Sequence, residues 1–294
     1  MKFIKKSIYY ILVCFIIICL TSCESVRTKM VVDGMSPILE KMKISMNKNN
    51  DFELVRDSMP ASIIQLEGFV EVSPNNTDLL IRTSEAYYSY AFSFIEDVDK
   101  QRALKLYTKA RQLALRALTC HKSFIIGKGQ TNDAFISSLN AFNAYYVPAL
   151  FYLCGSWMQM IALNPHSQTL SIELSQIEAI LDKILSLNEN YNYGAVHALF
   201  GGFFASRLPE LGGKPDQAKF HFEEAMEISD SKYLLWHYLY AKYYAVQIKD
   251  KDLFVSTLNG IINAPDTILK EAVLPNQIAK HKAKYLLANM NQYF

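Results

Sequence analysis

Between residues 100 and 118 the apolar positions Ala103, Leu106, Tyr107, Ala110, Leu113, Ala114, Ala117 and Leu118 fall at offsets of 0, 3, 4, 7, 10, 11, 14 and 15. That spacing is one stripe of a 3.6-residue helix, and Arg102, Lys105, Lys109, Arg111 and Arg116 stand outside it. These cations lack aromatic interleaving, so they read as a solvated face rather than a docking patch. Similar stripes run through residues 170–187, 215–229 and 252–262. Pro215 suits a helix start, where its missing N–H has no partner to lose. A second kind of segment is apolar nearly all the way round: 79–95, 141–163, 191–208 and 233–246, with Tyr and Phe concentrated there. Such a helix has to be covered by protein on both sides.

Short loops bearing Pro or Asn separate these segments: Ser73-Pro74-Asn75-Asn76, Leu163-Asn164-Pro165-His166, Leu187-Asn188-Glu189-Asn190 and Asn263-Ala264-Pro265-Asp266. Inner and outer helices in alternation predict an all-α superhelical stack of antiparallel helix pairs, an α-solenoid of tetratricopeptide type. The pairs are 75–119, 138–187, 190–229 and 232–263, and the step from Ser231 to Pro265 has the repeat's usual period of about 34 residues. A terminal helix over 273–293 caps the stack, and 24–73 supplies one or two earlier helices behind a short tether.

Composition narrows the class. Eleven Gly and nine Pro in 294 residues, with 51% hydrophobic side chains, favour helix over sandwich, barrel or Rossmann architectures. Part of the apolar excess is an export signal: Lys2, Lys5 and Lys6 precede the charge-free run from Ile8 to Leu20, too short to span a bilayer. Leu20-Thr21-Ser22-Cys23 resembles a bacterial lipobox, in which Cys23 is acylated and becomes the mature N-terminus. The expected organisation is a signal peptide over 1–22, a lipid-anchored tether and first helix over 23–50, and the helical domain over 51–294. Removal of the signal leaves 27 basic against 28 acidic residues, which withdraws electrostatic support for nucleic-acid binding. Cys120 and Cys154 then remain as two isolated thiols without a motif.

From Ala134 to Ile172 no Asp, Glu, Lys or Arg occurs. Pro148, Asn140, Asn143, Gln159 and the serines make this a poor membrane span and a better core helix. Enzyme motifs are missing: there is no G-x-G-x-x-G, H-E-x-x-H, C-x-x-C or G-x-S-x-G, and Gly127-Lys128-Gly129 reads as a loop. His197 and His237 read as core or channel-wall residues, because no carboxylate or Cys stands at sequence spacing for a metal, and neither a metal nor a cofactor is expected. Gly194, Gly201 and Gly202 fall within nine residues on an inner segment, which implies either close helix packing or a wall thinned for a passage. Pro209 with Gly212 and Gly213 makes the turn before Pro215.

Several motifs, in order, resemble the T-component (TatT) lipoproteins associated with TRAP (tripartite ATP-independent periplasmic) transporters. They are Glu53-Leu-Val-Arg-Asp-Ser-Met-Pro60, Val147-Pro-Ala-Leu-Phe-Tyr152 with Trp157, Tyr191-Asn-Tyr-Gly-Ala-Val-His197, the run from Leu208 to Ala225, and Lys282-Ala-Lys-Tyr-Leu-Leu-Ala288. The resemblance implies a periplasmic lipoprotein of degenerate tetratricopeptide hairpins, trimeric, with an apolar pore in each protomer. It also implies a partner, the solute-binding subunit of the transporter, and a hydrophobic or organic-acid ligand. No catalytic residue is carried over. Trp and Arg positions common in the family's first repeat are filled here by Tyr and Lys, which bears on ligand identity.

An aromatic surface on the inner helices suits an amphipathic ligand, because Tyr joins apolar area to a hydroxyl. Tyr87, Tyr145, Trp157 and His197 are the expected lining residues. The alternative reading is a scaffold outside transport that binds a protein partner in its concave groove.

Overall fold

Helix starts are written plainly in the side chains. Asp51, Asn76, Asp99, Thr131 and Asp250 each accept a hydrogen bond from the backbone N–H three residues on, at 2.8–3.2 Å. Each thereby satisfies one of the donors a helix leaves unpaired at its N-terminus. The computed structural model describes residues 24–122, 124, 131–164, 171–207, 209 and 212–294. The export signal, Cys23, Gly127-Lys128-Gly129 and His166 lie outside them.

Among the described residues the chain is all helical. The helices are α1 (Glu24–Asp33), α2 (Ser36–Asn47), α3 (Phe52–Val72), α4 (Thr77–Tyr90), α5 (Lys100–Thr119), α6 (Asn132–Ser138) and α7 (Val147–Leu163). They continue with α8 (Ser171–Leu187), α9 (Ala195–Ala205), α10 (Pro215–Ile228), α11 (Leu234–Leu239), α12 (Lys251–Asn263) and α13 (Val273–Ala288). The expected pairs are neighbours in space: α4 packs on α5, α7 on α8, α9 on α10, and α11 on α12. The stripe on α5 is buried as its spacing demands, with Ala103, Tyr107, Ala110, Leu113, Ala114, Ala117 and Leu118 inside.

Helix α7 belongs to a stretch, Ala144–Leu163, long and apolar enough to cross a membrane by composition. Here it is a core helix packed on α5 and α8, with Leu150, Cys154 and Ser156 fully buried. Pro148 sits in its first turn, where proline is tolerated. Cys120 and Cys154 are both free thiols, the first half-buried and the second buried.

Two features go beyond the sequence expectation. Residues 79–95 and 233–246 read as uninterrupted helices, yet α4 ends in a π turn over Ala91–Ile95 and α11 in another over Tyr240–Ala245. A π turn inserts residues into the helical count and re-aims the side chains that follow. The last helix also does more than cap: α13 packs on α11 and α12 and reaches back to α2 and α3. Phe52 of α3 stacks on His281 of α13, ring centroids 3.9 Å apart. The last helix thus joins the final pair to the N-terminal helices, with a hollow between them.

Candidate functional site

That hollow is a half-open cavity of about 1500 Å³. Its wall comes from α2, α3, the first helix of each pair (α4, α7, α9, α11), both π turns, α13 and two residues of α8; α5, α10 and α12 contribute nothing. The helices that are apolar all round are therefore the ones with a second buried face to supply, one for the core and one for the cavity. Met35, Met42, Met46 and Met59 from the N-terminal segment line it together with the aromatic residues Tyr88, Phe92, Phe151, Tyr152, Phe203 and Trp236. Methionine and aromatic rings adapt to irregular apolar shapes.

The glycines divide between the two roles left open by the sequence. A Cβ on Gly201 would sit 2.7 Å from the ring of Phe222, so Gly201 lets α10 approach α9. A Cβ on Gly202 would meet nothing closer than 3.9 Å, and Gly202 lines the cavity. Gly194 has φ +78° and starts α9 from a left-handed turn that glycine adopts without strain.

The polar part of the wall is cationic. Lys43, Arg82, Arg207, Lys242 and Lys249 stand against a single acid, Glu85. Lys43 is paired with Glu85 at 2.5 Å, Arg82 with Asp78 and Glu40 at 2.8 and 3.0 Å, and Lys242 with Glu96 at 3.2 Å. Arg207 forms no ion pair among the described residues. Its guanidinium lies over Phe203, 4.2 Å from the ring centroid, Nη2 donates to the Phe203 carbonyl at 3.2 Å, and Nε is buried without a hydrogen-bond partner. Burial pulls the Arg207 pKa downward, and only a distant Glu178 opposes this.

The expected turn before α10 is what holds Arg207 there. Gly212 has φ +85° and donates its N–H to the Pro209 carbonyl at 3.1 Å. A Cβ on Gly213 would collide with the Arg207 carbonyl, which also accepts from Gln247 Nε2 at 2.7 Å. Gln247 Oε1 is buried with no partner and lines the same cavity. Arg207 and Gln247 were not singled out from the sequence, since an arginine beside an expanded turn carries no periodic signal.

Tyr87, Tyr145, Trp157 and His197 are not brought together, and none of them is in the cavity wall. Tyr87 is half-buried and hydrogen-bonded to Glu67, which with burial pushes its phenol pKa well up. Tyr145 is 54% exposed. Trp157 is buried under Arg111, whose guanidinium carbon lies 4.4 Å from the ring centroid. His197 is buried, with Nε2 3.1 Å from Glu189 Oε1 and Nδ1 3.0 Å from His221 Nδ1. Burial, with His197 alongside, lowers the His221 pKa to about 4.

An uncharacterized protein of Treponema pallidum (strain Nichols) is 21% identical over 266 residues, covering 84% of this chain and 81% of its own. The model of the TRAP transporter T-component matches residues 48–294, which include every described helix from α3 to α13. The chain belongs to the TRAP transporter T-component family.

Proposed function

We propose that this chain is a lipid-anchored periplasmic component of a TRAP transport system that binds the solute-binding subunit and holds an amphipathic anion in its cavity. The lipobox at Cys23 supports the anchor, and the paired helices support a tetratricopeptide-type superhelix. Assembly as a homotrimer belongs to the same reading. No chemical step is assigned to the chain, in keeping with a family that is a transport component rather than a known enzyme family. The observation that carries the ligand reading is Arg207: a half-buried guanidinium whose Nε is buried without a partner and which forms no ion pair among the described residues, at the wall of a cavity with many Met and aromatic side chains. A ligand carboxylate would pair with this guanidinium through charge-assisted hydrogen bonds while its chain fills the apolar space. The test is displacement of a fluorescent fatty acid from the purified protein, with co-purification of the solute-binding subunit as a second measurement. Absence of saturable fatty-acid binding defeats the ligand reading, and absence of co-purification defeats the docking reading.

A further inference from the structure

Away from the cavity, we infer that Glu189, His197 and Glu224 form a binding site for a first-row divalent metal ion, with zinc(II) as the best match. Glu189 lies in the turn after α8, His197 in the first turns of α9 and Glu224 on α10. One ligand atom from each lies within 4.8 Å of the others. His197 Nε2 and Glu189 Oε1 are 3.1 Å apart. Two ligands of a tetrahedral zinc, each about 2.0 Å from the ion, stand about 3.3 Å apart, so this pair already has the separation of one tetrahedral edge. Glu224 is half-exposed, and its carboxylate completes the group within 4.8 Å.

Two further observations point to a cation. Neither Glu189 nor Glu224 forms an ion pair with a lysine or arginine among the described residues, so two carboxylates converge on one imidazole without a compensating charge. His197 is also oriented from behind, with Nδ1 3.0 Å from Nδ1 of His221, itself buried and stacked on Phe200 at 4.6 Å. A metal-bound histidine characteristically donates its other ring N–H to a second group that fixes the ring. Here His197 Nδ1–H would donate to His221 Nδ1.

Protons balance in the exchange. The exchange starts from the metal-free tautomers in which His221 Nδ1–H would donate to His197 Nδ1 and His197 Nε2–H to Glu189, the pairings the 3.0 and 3.1 Å separations allow. On binding, the His197 Nε2 proton leaves to solvent and the shared proton passes to His197 Nδ1. His221 takes a proton from solvent at Nε2, and both rings stay neutral. Three protein ligands leave a further position for water, and the ion joins the turn after α8 to α10.

The test is equilibrium dialysis of chelator-treated protein against zinc(II), with cobalt(II) substitution read by visible absorption. One zinc per chain is expected, with a four- or five-coordinate cobalt spectrum lacking thiolate bands. Affinity should fall at least tenfold in Glu189→Gln and in Glu224→Gln, whose positions are exposed and half-exposed. His221→Phe keeps the stack on Phe200, removes the Nδ1 acceptor, and should weaken binding roughly ten- to hundredfold. Metal binding should also raise the thermal midpoint of the native chain and leave that of Glu224→Gln unmoved. Zinc binding that is equal in the native chain and both Gln variants, or no stoichiometric zinc at all, overturns the site.

Discussion

Lys282 Nζ lies 3.0 Å from Glu96 Oε1 although 186 residues separate them, and both side chains are buried. The same ammonium donates to the Phe92 carbonyl at 2.8 Å and to Asp97 at 2.5 Å. Glu96 follows the π turn that ends α4, and its carboxylate also accepts from Tyr107 at 2.5 Å and from Lys242 of the second π turn at 3.2 Å. Two acids and two lysines meet at zero net charge where the last helix joins the first pair. Such a cluster is costly to desolvate, and it tolerates no missing member. It therefore sets the register in which the chain closes around the cavity.

Glu96→Gln leaves Lys242 and Lys282 buried without their shared counter-charge. The expected loss at neutral pH is about 3 kcal/mol of unfolding free energy, read by urea titration. Tyr107→Phe removes one hydrogen bond to that carboxylate and should cost less, about 1.5 kcal/mol. Equal effects of the two substitutions would contradict the network.

The same carboxylate dictates acid sensitivity. Burial alone would raise its pKa, but Lys242 and Lys282 outweigh burial and lower it from 4.5 to about 2. A depressed folded pKa means that the unfolded chain binds the proton first, so stability is fully present above about pH 4.5 and declines as pH falls towards 2. Urea midpoints measured from pH 6 down to pH 2.5 should fall steeply in the native chain and more gently in Glu96→Gln.

How much of this was legible before the structure depends on whether a helix has one face or two. The α5 stripe names its buried side, because a single apolar face has a single destination. On α4, α7 and α9 the apolar residues run all round, so periodicity cannot say which side meets the cavity and which the core. Ala86, Met158 and Ala198 line the cavity, whereas their immediate neighbours Tyr87, Trp157 and His197 do not, and one residue is about 100° around the helix. The two π turns and the meeting of Glu96 with Lys282 have no local signature. Glu224 likewise reaches His197 only through packing of α10 on α9, and Glu189 through the left-handed backbone at residues 192–194 that joins its turn to α9.

Gly201 and Gly202 should separate packing from passage. Gly201→Ala drives a methyl into the Phe222 ring and is expected to cost 1–3 kcal/mol, roughly the price of overpacking a core. A Cβ at Gly202 makes only ordinary van der Waals contact with Met158 and Tyr243 at the cavity wall, so Gly202→Leu, which relieves the glycine penalty in a helix, should leave the thermal midpoint at or above the native value. Its effect should appear in binding: fatty-acid capacity falls because the cavity is partly filled.

Trp157 gives the opposite signature. Its ring supports Arg111 outside the cavity wall, so Trp157→Ala should lower stability by about 3 kcal/mol and leave fatty-acid affinity unchanged once the protein is folded. Chemical denaturation and ligand titration on the same preparation check both halves.

Arg207 predicts selectivity by charge. A hydrogen bond to a charged group contributes about 1.5–3 kcal/mol, which corresponds to roughly ten- to hundredfold in affinity. Arg207→Met keeps an apolar stem against Phe203 and removes the guanidinium. Affinity for a long-chain carboxylate should then drop by that factor, while affinity for the alcohol of equal chain length stays within about twofold, since its apolar burial is unaltered. In the native protein the carboxylate should be preferred over the alcohol. If the two ligands lose affinity equally in the variant, Arg207 acts through the shape of the wall and its charge plays no part in selection.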